Sequence, residues 1–120
     1  KCGTGRGAII EIALDTIGLT TNKNTIPDEP SSPFYPSGIR IGTPSITTRN
    51  MKVREMKLIG NWIADVMNIT KGEQLPAEKT ERKAYLKNLR QRANKDARLL
   101  KIRRGVKKLC RDFPIPESFK

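Results

Sequence analysis

The sequence predicts an α+β fold, with a small antiparallel sheet covered by helices and an additional helical segment at the C-terminal end. Three observations lead there. Apolar residues recur at helical spacing in Thr4–Gly18 and again in the 50s and 60s. Two extended, Thr- and Ile-rich stretches flank a proline-rich loop between those helices. The second half, from Ala77 to Cys110, is helix-prone and densely charged.

Taken in order, the first helix rests on Ile9, Ile10, Ala13, Leu14 and Ile17, and Gly18 is its natural stop. Leu19–Ile26 reads as a strand. Pro27–Ser37 holds four prolines, a density that neither a helix nor a central strand tolerates, so it is a loop. Ile39–Thr48 is expected to be extended, broken by Gly42 and Pro44. Asn50 is suited to cap the next helix, whose face is Met56, Ile59, Ile63, Val66 and Met67 with Trp62 alongside, ending near Asn68. The linker ITKGEQLP follows. The final helical stretch carries Tyr85, Leu86, Leu89, Leu99, Leu100, Ile102, Val106 and Leu109, with an expected interruption at Gly105 and a stop at Pro114 and Pro116. No internal repeat is visible.

A chain of 120 residues makes one modest domain, the commonest size being about 100–150 residues. Its 36% hydrophobic content is low for a self-sufficient globule. It opens at Lys1, without an initiator methionine, almost directly into an apolar helical pattern, which reads as a piece of something longer. No stretch approaches the roughly 20 apolar residues that span a bilayer. Cys2 and Cys110 stand at opposite ends and histidine is absent, so a zinc site of about four Cys and His ligands is excluded. A disulfide between the two cysteines is open, and a reduced, cytoplasmic protein is the plainer expectation.

The net charge of +12 is uneven. Residues 1–60 carry eight Lys and Arg against five Asp and Glu, whereas residues 61–120 carry sixteen against seven. Such an excess favours polyanions, and a small basic RNA-binding module is the rival functional reading. That rival needs exposed aromatics for base stacking, yet Tyr85 is the only aromatic between Trp62 and Phe113.

No catalytic set is complete. There is no histidine for general-base work, and the opening GTGRG has no strand before it, so it reads as an entry into the first helix. Arg40 is the most informative polar residue. In SGIRIG, Ile39 and Ile41 point to one face and Arg40 to the other, together with Gly38 and Gly42, which have no side chains. A permanently charged, planar fork between two such positions suits a small carboxylate held by two parallel hydrogen bonds. A strand arginine paired with a structural acid fits the same pattern. Asn22, Lys23 and Asn24 form a polar run whose amides suit either a turn or the edge of a heterocycle.

NKNTIP, Ser32-Pro33-Phe34, SGIRIGTPSITTR and the Lys52-to-Trp62 helix, in this order and spacing, resemble the C-terminal small domain of serine hydroxymethyltransferase. GVKKLCRDFPIP is similar to that family's closing helix and proline-terminated tail. The resemblance covers residues 4–69 and about 103–116. It implies a piece of a larger pyridoxal-phosphate enzyme of the aspartate-aminotransferase-like fold, a cytoplasmic homodimer or tetramer of glycine biosynthesis and one-carbon metabolism. Such an enzyme interconverts serine and glycine, moving a one-carbon unit to and from tetrahydrofolate. By the same resemblance Arg40 grips the substrate carboxylate, Asn24 contacts the folate ring and Phe34 lies near it. The Schiff-base lysine and phosphate loops belong to a preceding larger domain, so no catalytic, cofactor-binding or metal residue is expected here. Two departures stand out. Asn50 replaces a usual glycine after TTR, at a place where Asn tolerates the left-handed conformation. Residues 72–101 form a basic helical insertion, which offers either a partner surface or an RNA-facing role, or is simply a solvated helix face.

Overall fold

The computed structural model describes residues 3–120. Helix α1 (Gly7–Ile17) leads into β1 (Asn22–Asn24), β2 (Gly38–Arg40), α2 (Pro44–Thr48), α3 (Val53–Ile69), α4 (Lys79–Ala93), α5 (Ala97–Asp112) and a closing 3-10 turn at Glu117–Phe119. The expected α+β architecture is present, with the sheet reduced to a two-stranded antiparallel ribbon.

The organising element is α1. Nine of its eleven residues are buried, among them Ile9, Ile10, Ile12, Leu14 and Ile17. A helix apolar on nearly every side must be covered on nearly every side, and α3, α4, α5 and the ribbon all pack on it. Ile10, Ala13, Leu14 and Ile17 meet Val66 of α3, Ala93 of α4 and Leu99 of α5, with Trp62, Ile63 and Ile102 at the margin. Ile9 and Ile12 meet Leu89, with Tyr85 and Leu86 beside them. Thus α4 is not a solvated appendage: its apolar side closes the second face of α1.

The end of α1 follows the sequence expectation. Gly18 takes φ 93°, its N–H donates to the Asp15 carbonyl at 3.0 Å, and the Leu19 N–H donates to the Leu14 carbonyl at 2.9 Å. This left-handed closure satisfies carbonyls that the helix leaves open and turns the chain sharply towards β1.

Four expectations are corrected. The strand expected over Leu19–Ile26 contracts to Asn22–Asn24, because its partner β2 is also only three residues long. The stretch expected to stay extended to Thr48 becomes α2, which Pro44 opens from a first-turn position where proline's fixed φ favours helix. Asn50 does not cap α3. It takes φ 64°, the left-handed conformation expected of it, and the cap falls at Lys52, whose N–H donates to the Glu55 carboxylate at 2.8 Å. Finally, α5 runs unbroken through Gly105. The break comes earlier, at 94–96, where the Asp96 carboxylate accepts the Arg98 N–H at 2.8 Å and starts a new helix. Gly105 instead lets α5 approach α3, since a Cβ there would stand 3.0 Å from the Trp62 ring.

Candidate functional site

The ribbon pairs Asn22 with Arg40, Lys23 with Ile39 and Asn24 with Gly38. Directly opposed residues in an antiparallel pair project to the same side. Ile39 packs against the core, so Lys23 shares the inner side while Asn22, Asn24 and Arg40 share the outer one. The sequence-predicted Arg40 and Asn24 are therefore brought onto one exposed face, with Asn22, which was noted only as part of a polar run. Arg40 is exposed and has no hydrogen-bond or ion-pair partner among the described residues. The structural-acid alternative for it is not realised there.

The two glycines flanking Arg40 differ. A Cβ on Gly38 would lie 2.6 Å from Ile26 Cγ2 and 2.8 Å from the Asn24 carbonyl oxygen, so this position is bare because the ribbon closes on it. Only Gly42 is open, a Cβ there meeting nothing nearer than Pro44 at 3.6 Å. The expectation of two empty positions beside the guanidinium is corrected to one.

Asn24 donates from Nδ2 to the Thr25 carbonyl at 2.9 Å. That leaves its Oδ1 and a second N–H without an intramolecular partner among the described residues. Phe34 sits in the loop between the strands and is 79% exposed, so its ring is presented to solvent.

That loop is held by a residue that sequence reasoning passed over. The Glu29 carboxylate accepts from the backbone N–H groups of Ile26 (3.1 Å), Ser31 (3.0 Å) and Ser37 (3.0 Å), and from the Ser37 hydroxyl at 2.5 Å. Desolvation pushes its pKa up, but these hydrogen bonds, led by the Ser37 hydroxyl, outweigh it and lower the pKa to about 2. Ser37 Oγ also accepts the Gly5 N–H at 2.8 Å, and the Gly7 N–H donates to the Pro36 carbonyl at 2.8 Å. The loop is thereby tied to the start of α1.

Arg49 is a second residue with an unforeseen part. Its Nε donates to the Phe113 carbonyl at 2.6 Å and its Nη2 to the Cys110 carbonyl at 2.7 Å. A cation at the carbonyl end of α5 is favoured by both hydrogen bonding and the helix dipole. It joins the end of α2 to the end of α5. One of two adjacent acids in a proline-rich loop and the last residue of TTR were the only traces of these two in the sequence.

A cleft of about 770 Å³ lies elsewhere, between α3 and α5, lined by Val53, Leu58, Trp62, Leu109 and Phe113 among others. It is mostly apolar and holds none of the predicted site residues. Chemistry therefore directs attention to the ribbon rather than to this cleft. Among the described residues no group of three or more His, Cys, Asp and Glu is placed to hold a metal ion, and no helix is long and apolar enough to cross a membrane. Cys110 is a free, half-buried thiol. The open question of a bond to Cys2 lies outside the described residues.

The family model for serine hydroxymethyltransferase matches residues 3–63, about half the chain, a span that contains the whole ribbon and most of α3. A serine hydroxymethyltransferase of Dichelobacter nodosus is 38% identical over 112 residues, covering 93% of this chain and 21% of the relative. One from Methanospirillum hungatei JF-1 is 52% identical over 69 residues, 58% of this chain and 17% of the relative. The chain thus spans about a fifth of the length of the curated relatives it matches. With half its residues in the family model, this chain belongs to the serine hydroxymethyltransferase family.

Proposed function

We propose that this segment serves serine–glycine interconversion by supplying the substrate-carboxylate receptor and part of the folate pocket to an active site completed by the rest of the enzyme. Arg40 is the receptor. The observation that carries this reading is its position on an exposed face with two amides and no acidic partner among the described residues. A guanidinium so placed is free to take a carboxylate through two parallel N–H···O bonds, which fixes the amino acid's orientation as well as its charge. Its part is to bind and orient the amino acid.

Asn24 offers an acceptor and a remaining donor to the edge of the tetrahydrofolate ring, and Phe34 offers an exposed face against which that ring packs. Family membership and the shared face of Asn24 and Arg40 support the assignment; Phe34 rests on resemblance and exposure alone. Residues 72–101 are read as an insertion, and 103–116 as the closing helix and tail of a 1–120 small domain.

Pyridoxal phosphate, when bound, supplies the electron sink for chemistry at the amino acid's α-carbon. The outer ribbon face does not fit it. Lys23, the one lysine of the ribbon, is paired with Ile39 on the inner side, and Arg40 with two amides makes no phosphate cradle. The cofactor's contacts are assigned to the remaining four-fifths of the enzyme, within an aspartate-aminotransferase-like fold, a homodimer or tetramer in the cytoplasm. This segment alone is expected to turn over no serine.

The test is Arg40→Lys in the full-length enzyme. Replacing the fork by a point charge is expected to weaken serine and glycine binding roughly ten- to a hundredfold, as loss of a charged hydrogen bond of about 1.5–3 kcal/mol requires. An unchanged KM for serine in a folded variant would refute the assignment.

A further inference from the structure

Almost all of the chain's net positive charge lies in one stretch of the sequence. Residues 79–112, spanning α4 and α5, hold fourteen Lys and Arg against three Asp and Glu, while the remaining residues hold ten against nine. Several of those cations are neutralised: Arg90 by Asp15, Arg92 by Glu73, Arg98 by Asp96 and Lys108 by Asp112. Others are not. Arg103, Arg104, Lys107 and Arg111 are all exposed and have no ion-pair or hydrogen-bond partner among the described residues. They line a cleft of about 590 Å³ with Ile17, Gly18, Val106 and Cys110, and no acid among the described residues contributes to its wall.

We propose that this face of α5 binds the phosphate backbone of nucleic acid without regard to sequence. Arg103, Lys107 and Arg111 recur at four-residue intervals, so they share one side of the helix and stand about 6 Å apart along its axis. A row of single positive charges at a regular step matches a polymer of single negative charges, and three of the four groups are guanidinium forks suited to phosphate oxygens. The α1 carbonyls nearest the cleft do not use these cations, because Leu14 and Asp15 already accept from Leu19 and Gly18. Base readout is not expected. The face carries no aromatic, and Phe113 belongs to the opposite cleft beside Trp62. A bilayer surface fits less well, since interfacial binding requires exposed apolar side chains and the apolar members here, Ile17 and Val106, are buried.

The experiment measures fluorescence anisotropy of mixed-sequence RNA of about 20 nucleotides with the full-length protein across a salt series, using a triple Arg103→Glu, Lys107→Glu, Arg111→Glu variant. A control triple at Lys79, Lys83 and Lys87 of α4 makes the same change in charge. Binding is expected to weaken at least tenfold in the α5 triple and much less in the α4 triple. Three lost phosphate contacts should flatten the dependence of log K on log salt by about 2 for a single strand. Scrambled sequences should bind alike, and serine turnover should persist. Equal losses in both triples would overturn the proposal in favour of overall charge. So would tighter binding to phosphatidylcholine–phosphatidylserine vesicles than to RNA at matched anion concentration. A milder Gln triple carries the same comparison if the Glu triple unfolds.

Discussion

At the scale of single residues, the backbone conformation at Asn50 makes a direct prediction. With φ at 64°, a branched side chain is forced where the left-handed region disfavours it by about 1–2 kcal/mol. Asn50→Val is expected to destabilise by that amount in urea unfolding, and Asn50→Gly to be neutral or slightly stabilising. For Asn24 the expected outcome is functional. Asn24→Ala should depress folate-dependent serine cleavage far more than folate-independent reactions of the same active site, and equal losses would mark the residue as structural. The placement of Arg40 and Asn24 on the ribbon was legible because it is local, a charge in a short strand and an amide run before a loop, whereas the part proposed for Asn24 comes from the family resemblance. Arg49 was not, because it works through backbone groups 61 and 64 residues away. Nor was Glu29, because its partners at 26, 31 and 37 converge on one carboxylate only once the irregular loop has closed. Nothing in the chain near Arg49 foretells that the carbonyls of Cys110 and Phe113 will meet it.

At the scale of elements, the inter-strand loop is an acid-sensitive unit. Glu29 is ionised down to about pH 2 in the folded loop, against an ordinary value of 4.5. Below pH 4.5 the unfolded chain takes up this proton while the folded one resists it, so the stability it provides is present at neutral pH. That stability is lost as pH falls from about 4.5 to about 2. Glu29→Gln should therefore melt below the parent at pH 7, with the gap narrowing through that window. At the other end of the site, Arg49→Ala removes two charged hydrogen bonds to the end of α5, worth about 1.5–3 kcal/mol each at most. Faster hydrogen exchange in the last turn of α5 would report it. Helices α1 and α3 were readable because apolar spacing persists for many turns. The short α2 was not, because Gly42 and Pro44 resemble breakers until Pro44 is seen to occupy a first-turn position. The separation of α4 from α5 was missed for a related reason: Gly105 draws attention as a breaker, while the actual break is made by an Asp that caps.

For the whole molecule, α4 and α5 are part of the core. Leu89 is 5% exposed and packs on Ile9 and Ile12. Leu89→Ala is expected to cost about 2–5 kcal/mol, a loss that a loosely attached solvated helix would not produce. The stretch read as an insertion ends at residue 101, inside α5. Excising 72–101 would remove the Asp96 cap and Leu99 together and uncover α1.

The burial of α1 also has a consequence in time. Residues 7–17 leave the ribosome long before the helices at 79–112 that cover them. At roughly 5–20 residues per second, that interval is on the order of 4–20 s. Throughout it, the aliphatic side chains of this short segment lack their α4 and α5 partners, Leu89, Ala93 and Leu99 among them, and stay open to non-native apolar contacts. The rate of translation through α4 and α5 thus becomes a determinant of yield, so slow codons there should lower soluble expression without altering a single contact in the finished fold.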